Sequence, residues 1–92
     1  MKDVRLTAVF HGTVQGVGFR YSTHRLAARS LITGFVQNEA DGTVLAVVEG
    51  QEADVKAFLN QIKMSHLGQL IQRVDESWCP ATCAYKSFDI SY

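Results

Sequence analysis

Net charge is the first thing this chain lacks. Nine basic side chains balance nine acidic ones, whereas a protein that holds a polyanion along a broad face is usually strongly positive. The balance argues against a nucleic-acid partner. Long apolar runs are missing too, and no segment approaches the ~18 apolar residues of a membrane span. No charged, apolar and small-residue regions follow one another at the N-terminus, so no signal peptide is expected and the chain reads as cytoplasmic, with no membrane partner. Cysteine is scarce: Cys79 and Cys83 are the only two, and a zinc site would need further Cys or His ligands at metal spacing. His11, His24 and His66 are scattered, so no metal and no other cofactor is expected. A disulfide between Cys79 and Cys83 is geometrically possible, while a cytosolic setting favours free thiols. Proline occurs once, at Pro80. Repeats, linkers and low-complexity segments are absent. Ninety-two residues, 47% of them hydrophobic, suffice for one domain with one core, spanning 1–92, and are too few for two.

Glycine, by contrast, is concentrated. The stretch Gly12-Thr13-Val14-Gln15-Gly16-Val17-Gly18-Phe19-Arg20 follows an apolar run and leads into a segment of helical character. Glycine takes positive φ and lets backbone N–H groups approach a ligand. Such a turn feeding a helix N-terminus aims several N–H donors at one spot, where the helix dipole adds positive potential. Arg20 supplies a planar fork that matches two oxygens of a phosphate or carboxylate. The stretch therefore points to an anion site, with phosphate the leading ligand. The same glycines would also serve a plain strand-to-helix turn, with Arg20 solvating the helix. Neither familiar phosphate motif fits: no Lys-Ser/Thr follows the last glycine, and the order is not that of the dinucleotide fingerprint. Arg20, Arg25 and Arg29 fall close together, which suits a locally positive entry for a small anion.

Along the chain, Leu6, Ala8 and Phe10 alternate in a strand from Arg5 to His11, and Val9 on the other face suggests a position inside a sheet. Tyr21 to Leu31 is expected to be helical, with Thr23, His24, Ala27, Ala28 and Leu31 inward. His24 reads as a half-buried histidine bonded to backbone rather than as a catalytic base. Gly34–Asn38 and Thr43–Gly50 flank Asp41-Gly42, a hairpin signal. Glu52 to Met64 is a helix, with Val55, Phe58, Leu59 and Ile62 at i, i+3, i+4 and i+7. A connection over Ser65–Gly68, a strand over Leu70–Ser77, a loop over Trp78–Thr82 and a last strand from Ala84 to Tyr92 complete the chain. The order β-α-β-β-α-β is the ferredoxin-like arrangement, an α+β sandwich with an antiparallel sheet and both helices on one face.

Gly12-x-Val14-Gln15-Gly16-Val17-x-Phe19-Arg20 resembles the first signature of the acylphosphatase family, and Gly34-Phe35-Val36-Gln37-Asn38-x-x-x-Gly42-x-Val44, closing at Gly50, resembles the second. The resemblance covers nearly the whole chain, down to the closing Phe88-x-Ile90-x-Tyr92. It departs at one place. Ser30-Leu31-Ile32 stands where Leu-Gly-Leu is expected, so the first helix lacks its usual glycine cap, and Gly34 is expected to take over the chain reversal.

The resemblance implies a metal-independent acylphosphatase that splits small acyl phosphates into a carboxylate and inorganic phosphate. Arg20 and the backbone N–H groups of Gln15, Gly16, Val17, Gly18 and Phe19 would hold the phosphoryl group. Asn38 would position the attacking water, and Thr43 would support Asn38 through its side chain. A monomer acting on a small molecule is expected. The alternative on the same fold is a non-catalytic phosphate- or carbamoyl phosphate-binding module, like the acylphosphatase-like domains that open hydrogenase maturation factors. An RNA-recognition module would need aromatics on its central strands, and Thr43–Gly50 has none. A metallochaperone would carry a cysteine pair where this chain has Gly16 and Gly18.

Overall fold

The computed structural model describes residues 2–92. Alternation along Val4–Gly12 (β1) sends Leu6, Ala8 and Phe10 inward, each at most 1% exposed, and turns Arg5, Thr7 and Val9 to the opposite face. Ile32–Asn38 (β2) and Val44–Gly50 (β3) form the hairpin expected at Asp41-Gly42. Phe19–Ala27 (α1) and Glu52–Met64 (α2) lie on the Leu6 face, and Val55, Phe58, Leu59 and Ile62 are all buried there, as their spacing requires. A 3-10 turn over His66–Leu70 leads from α2 into Ile71–Pro80 (β4), and Phe88–Ser91 (β5) ends the chain.

The strand order is β4-β1-β3-β2-β5. The four strands β4, β1, β3 and β2 are antiparallel, as the ferredoxin-like order demands, whereas β5 lies parallel to β2. The sheet is therefore mixed rather than wholly antiparallel. The cause lies in the segment 81–87. The chain leaves β4 at one edge, reverses direction once, and reaches the far edge already running as β2 does. The segment crosses the face opposite the helices. Thr82 and Cys83 meet Glu49 on β3, the Tyr85 ring sits edge-on to Phe35 of β2, and the Ser87 carbonyl accepts from Gly34 N–H.

Four local expectations need correction, the simplest being that the last strand runs over Phe88–Ser91 and does not begin at Ala84. The first helix stops at Ala27, and Ala28 and Leu31 are exposed rather than inward, Leu31 by 82%. No left-handed residue ends the helix. Ala28 stays right-handed, and Ser30 donates to Leu26 O through its hydroxyl and to Ala27 O through its N–H. Gly34 makes no reversal but lies inside β2, where the Val47 carbonyl leaves no room for a Cβ. Trp78–Pro80 belongs to β4 instead of a loop. An edge strand tolerates a terminal proline because its missing N–H deprives no neighbour. Cys79 and Cys83 are both exposed free thiols.

Glu49 anchors the crossing segment. Its carboxylate is 3% exposed and accepts from Arg5 Nε at 2.8 Å, Thr82 N–H at 2.9 Å, Thr82 Oγ1 at 3.1 Å and Cys83 N–H at 3.0 Å. Burial pushes its pKa up, but the bonds from Thr82 and Arg5 outweigh burial and leave it below the ordinary glutamate value. A depressed folded pKa means stability that is complete above the unfolded value of about 4.3 and lost as pH falls through the folded one. Glu49→Gln is expected to lower stability at pH 7 by about 2 kcal/mol, the scale of hydrogen bonds to a charged group. The variant should also lose less on acidification than the parent. Thermal unfolding at neutral pH and near pH 3 checks both, and parallel acid losses would remove Glu49 from the account.

Candidate active site

Two buried side chains fix the glycine loop. Val14 is 1% exposed and Phe19 2%, with the Phe19 ring 5.0 Å from that of Phe10. Between them the backbone turns through Gly16 and Gly18, each at φ 76°, a left-handed geometry that suits glycine. Gly18 caps α1, and Ser22 N–H donates to its carbonyl at 2.9 Å. Among the described residues, the N–H groups of Gln15 through Phe19 donate to no protein acceptor. A row of free donors at a helix N-terminus attracts an anion. Arg20 stands in the first turn of that helix, its guanidinium 5.1 Å from the centroid of the Tyr92 ring, and among the described residues it pairs with no carboxylate.

Of these, Gly16, Gly18, Phe19 and Arg20 border one cavity of about 190 Å³, several times the roughly 30 Å³ that a water occupies in the liquid. Gly16, Gly18, Phe19 and Arg20 form one wall, Asn38 at the end of β2 another, and Ile90 of β5 with Tyr92 just beyond it a third. Two stretches far apart in sequence thus meet at one place. The Gln15 side chain does not line the cavity but bridges its walls. Its Nε2 donates to Glu39 O at 2.7 Å and Thr43 O at 2.9 Å, tying the glycine loop to the hairpin that carries Asn38.

With this geometry in view, the chain can be set beside known proteins. A sequence model of the acylphosphatase family matches residues 6–90. The chain belongs to the acylphosphatase family. An acylphosphatase of Arthrobacter sp. (strain FB24) is 45% identical over 91 residues, which cover 99% of this chain and 84% of the relative. One of Paenarthrobacter aurescens (strain TC1) is 42% identical over 97% of this chain and 95% of its own. Among solved structures, the acylphosphatase of Bacillus subtilis superposes with a TM-score of 0.86 at 27% identity, over 97% of this chain and 99% of the other. Full-length HypF in its phosphate- and nucleotide-bound form matches all of this chain with 12% of its own length, at a TM-score of 0.80 and 26% identity.

Within this acylphosphatase fold, Thr43 does not do what was expected of it. Its hydroxyl donates to Asp41 Oδ1 at 2.6 Å and its N–H to the same oxygen at 3.0 Å, so it braces the turn rather than Asn38. An aspartate two residues earlier is the nearest acceptor, as turn chemistry favours. Those bonds, the hydroxyl's first, hold the Asp41 pKa below the ordinary value. Val17 does not line the cavity and is 36% exposed. His24 is half-buried, yet among the described residues its ring makes no hydrogen bond, to backbone or otherwise. Two contributors were invisible beforehand. The acceptors of Gln15 are backbone carbonyls, which no side-chain pattern reveals. Tyr92 could be assigned to the face of Ile90, but not to a place over Arg20.

Proposed function

We propose that this acylphosphatase hydrolyses the carboxyl–phosphate bond of small acyl phosphates, and that Arg20, the 15–19 backbone and Asn38 carry the reaction. The observation behind the reading is that Gly16, Gly18 and Phe19, whose N–H groups are free, the Arg20 guanidinium and the exposed amide of Asn38 border a single cavity, with Gln15 and Val17 beside it in the same loop.

A carboxylate leaves phosphorus readily, so the reaction asks for placement and charge neutralisation more than for a strong nucleophile. The N–H groups of Gln15 to Phe19 and the Arg20 fork take up the charge on the phosphoryl oxygens. Asn38 accepts a hydrogen bond from water through its side-chain oxygen and aims that water in line with the bond to be broken. Water oxygen bonds to phosphorus as the phosphorus–acyl oxygen bond breaks, and the electron pair departs with the carboxylate. The water's proton passes to a phosphoryl oxygen, since an amide cannot take it at neutral pH. The positive field of loop and arginine stands where other phosphoryl-transfer sites use a cation, so no metal is needed. We read residues 1–92 as one monomeric, cytoplasmic domain without a nucleic-acid partner, supported by the balanced charge and the two free thiols.

Hydrolysis of benzoyl phosphate, followed in the ultraviolet, tests the proposal. Turnover is expected at the same rate with and without a chelator. No turnover would overturn the assignment, and loss of turnover in chelator would overturn its metal independence.

A further inference from the structure

The Gln15 side chain directs both hydrogens of its amide nitrogen at backbone carbonyls, Glu39 O at 2.7 Å and Thr43 O at 2.9 Å. Both acceptors are oxygens, so the end of the amide that meets them is its nitrogen. The two carbonyls flank the hairpin turn, and Glu39 directly follows Asn38. Among the described residues no other hydrogen bond joins residues 14–18 to residues 38–44.

The plain explanation is that Gln15 holds the hairpin turn closed. The turn closes without it. Glu39 N–H donates to Thr43 O at 2.9 Å, Gly42 N–H to Glu39 O at 3.2 Å, and Thr43 N–H to Asp41 Oδ1 at 3.0 Å. Each carbonyl that Gln15 reaches therefore keeps a backbone donor when Gln15 is replaced, and neither is left orphaned. The glycine loop likewise has its own anchors, with Val14 buried at one end and Phe19 at the other. What neither set of anchors fixes is the separation between loop and turn. Gly16 and Gly18 give the loop backbone freedom to shift, and among the described residues the Asn38 amide makes no hydrogen bond to the protein.

Resting on the hydrolase reading above, we propose that the Gln15 side chain is a positioning residue. It holds the hairpin at a fixed distance from the phosphate cradle, and so keeps the Asn38 amide, with its water, in line with the bond to be broken. In-line attack is sensitive to such placement, and an error of about 1 Å can cost on the order of a hundredfold in rate. The side chain does this without touching substrate.

The test measures benzoyl phosphate kinetics and the inhibition constant of inorganic phosphate in Gln15→Met and Gln15→Glu. Methionine keeps the length without a donor. Glutamate keeps the shape but, as a carboxylate, meets two carbonyl oxygens with acceptors only. Both variants are expected to lower kcat about tenfold, part of the full cost of misplacement. KM and the phosphate inhibition constant should stay within roughly threefold of the parent, because Arg20 and the loop N–H groups remain. In an Asn38→Ala background, Gln15→Met should lower kcat no further, since two residues that act through one water are not additive. An equal fall in that background overturns the inference, as does a loss confined to phosphate affinity. A kcat at the parent's value in both variants, with only Tm lowered, reduces Gln15 to a structural brace and leaves hydrolysis standing. Absence of turnover in the parent overturns the hydrolase reading and this inference with it.

Discussion

Arg20→Lys is expected to lower kcat/KM for benzoyl phosphate by a hundredfold or more, on the order of 3 kcal/mol of transition-state stabilisation, with little change in thermal stability. Lysine keeps the charge, so simple electrostatics would forecast a mild loss. The difference lies in shape. A guanidinium donates along two parallel directions to two oxygens of one phosphoryl group, whereas an ammonium is a compact, strongly hydrated point. Lysine would also lose the planar contact with Tyr92, worth about 0.5–1 kcal/mol at an exposed site. The fold should hardly notice, because Arg20 pairs with no carboxylate among the described residues. Steady-state kinetics beside thermal melts check both halves. An R20K rate within a few-fold of the parent would show that Arg20 supplies charge alone.

Asn38→Ala should lower kcat by about a hundredfold, the scale of removing one preorganised polar group from a reaction centre, while KM stays nearly constant. The asymmetry follows from the division of labour. In the proposed division, the 15–19 backbone and Arg20 would hold the phosphoryl group and survive the change, whereas the water would lose its acceptor. Asn38 ends β2 with its side chain exposed, and among the described residues it makes no side-chain hydrogen bond to the protein, so stability should be unaffected. Equal rates in parent and variant would reduce Asn38 to a turn residue. A raised KM with unchanged kcat would make it a binding group.

Much of this architecture is legible in the chain because local rules and tertiary structure agree. The spacing of Val55, Phe58, Leu59 and Ile62 fixes the buried face of α2, and Asp41-Gly42 closes the hairpin. The doubly apolar pattern of β3 makes sense with Glu49 and Val47 sheltered beneath the crossing segment. Legibility fails where local signals are weak or a partner is distant. Without a glycine cap, periodicity alone cannot say that the first helix ends at Ala27, and it carried the helix four residues too far, to Leu31. Pro80 looks like a loop marker until its strand is known to be an edge. The two motifs named Arg20, Asn38 and the loop, yet the brace between them, Gln15 to the carbonyls of Glu39 and Thr43, joins groups whose closeness only the folded sheet creates.

The strand order also bears on how the protein reaches its native state. Among the described residues only β2 and β3 are joined by a tight hairpin; β1 with β3, β1 with β4 and β2 with β5 all pair across long stretches of chain. Each such pairing requires loop closure before its contacts repay it, and mixed α/β domains of this kind fold more slowly than bundles with local contacts. The last strand, which brings Ile90 and Tyr92 to the cavity, can dock only after β2 is in the sheet and the 81–87 segment has crossed it. A phosphate ion that binds the finished cavity therefore meets no complete site on the way up. It should act on the protein's lifetime by slowing unfolding, and leave the rate of folding nearly untouched.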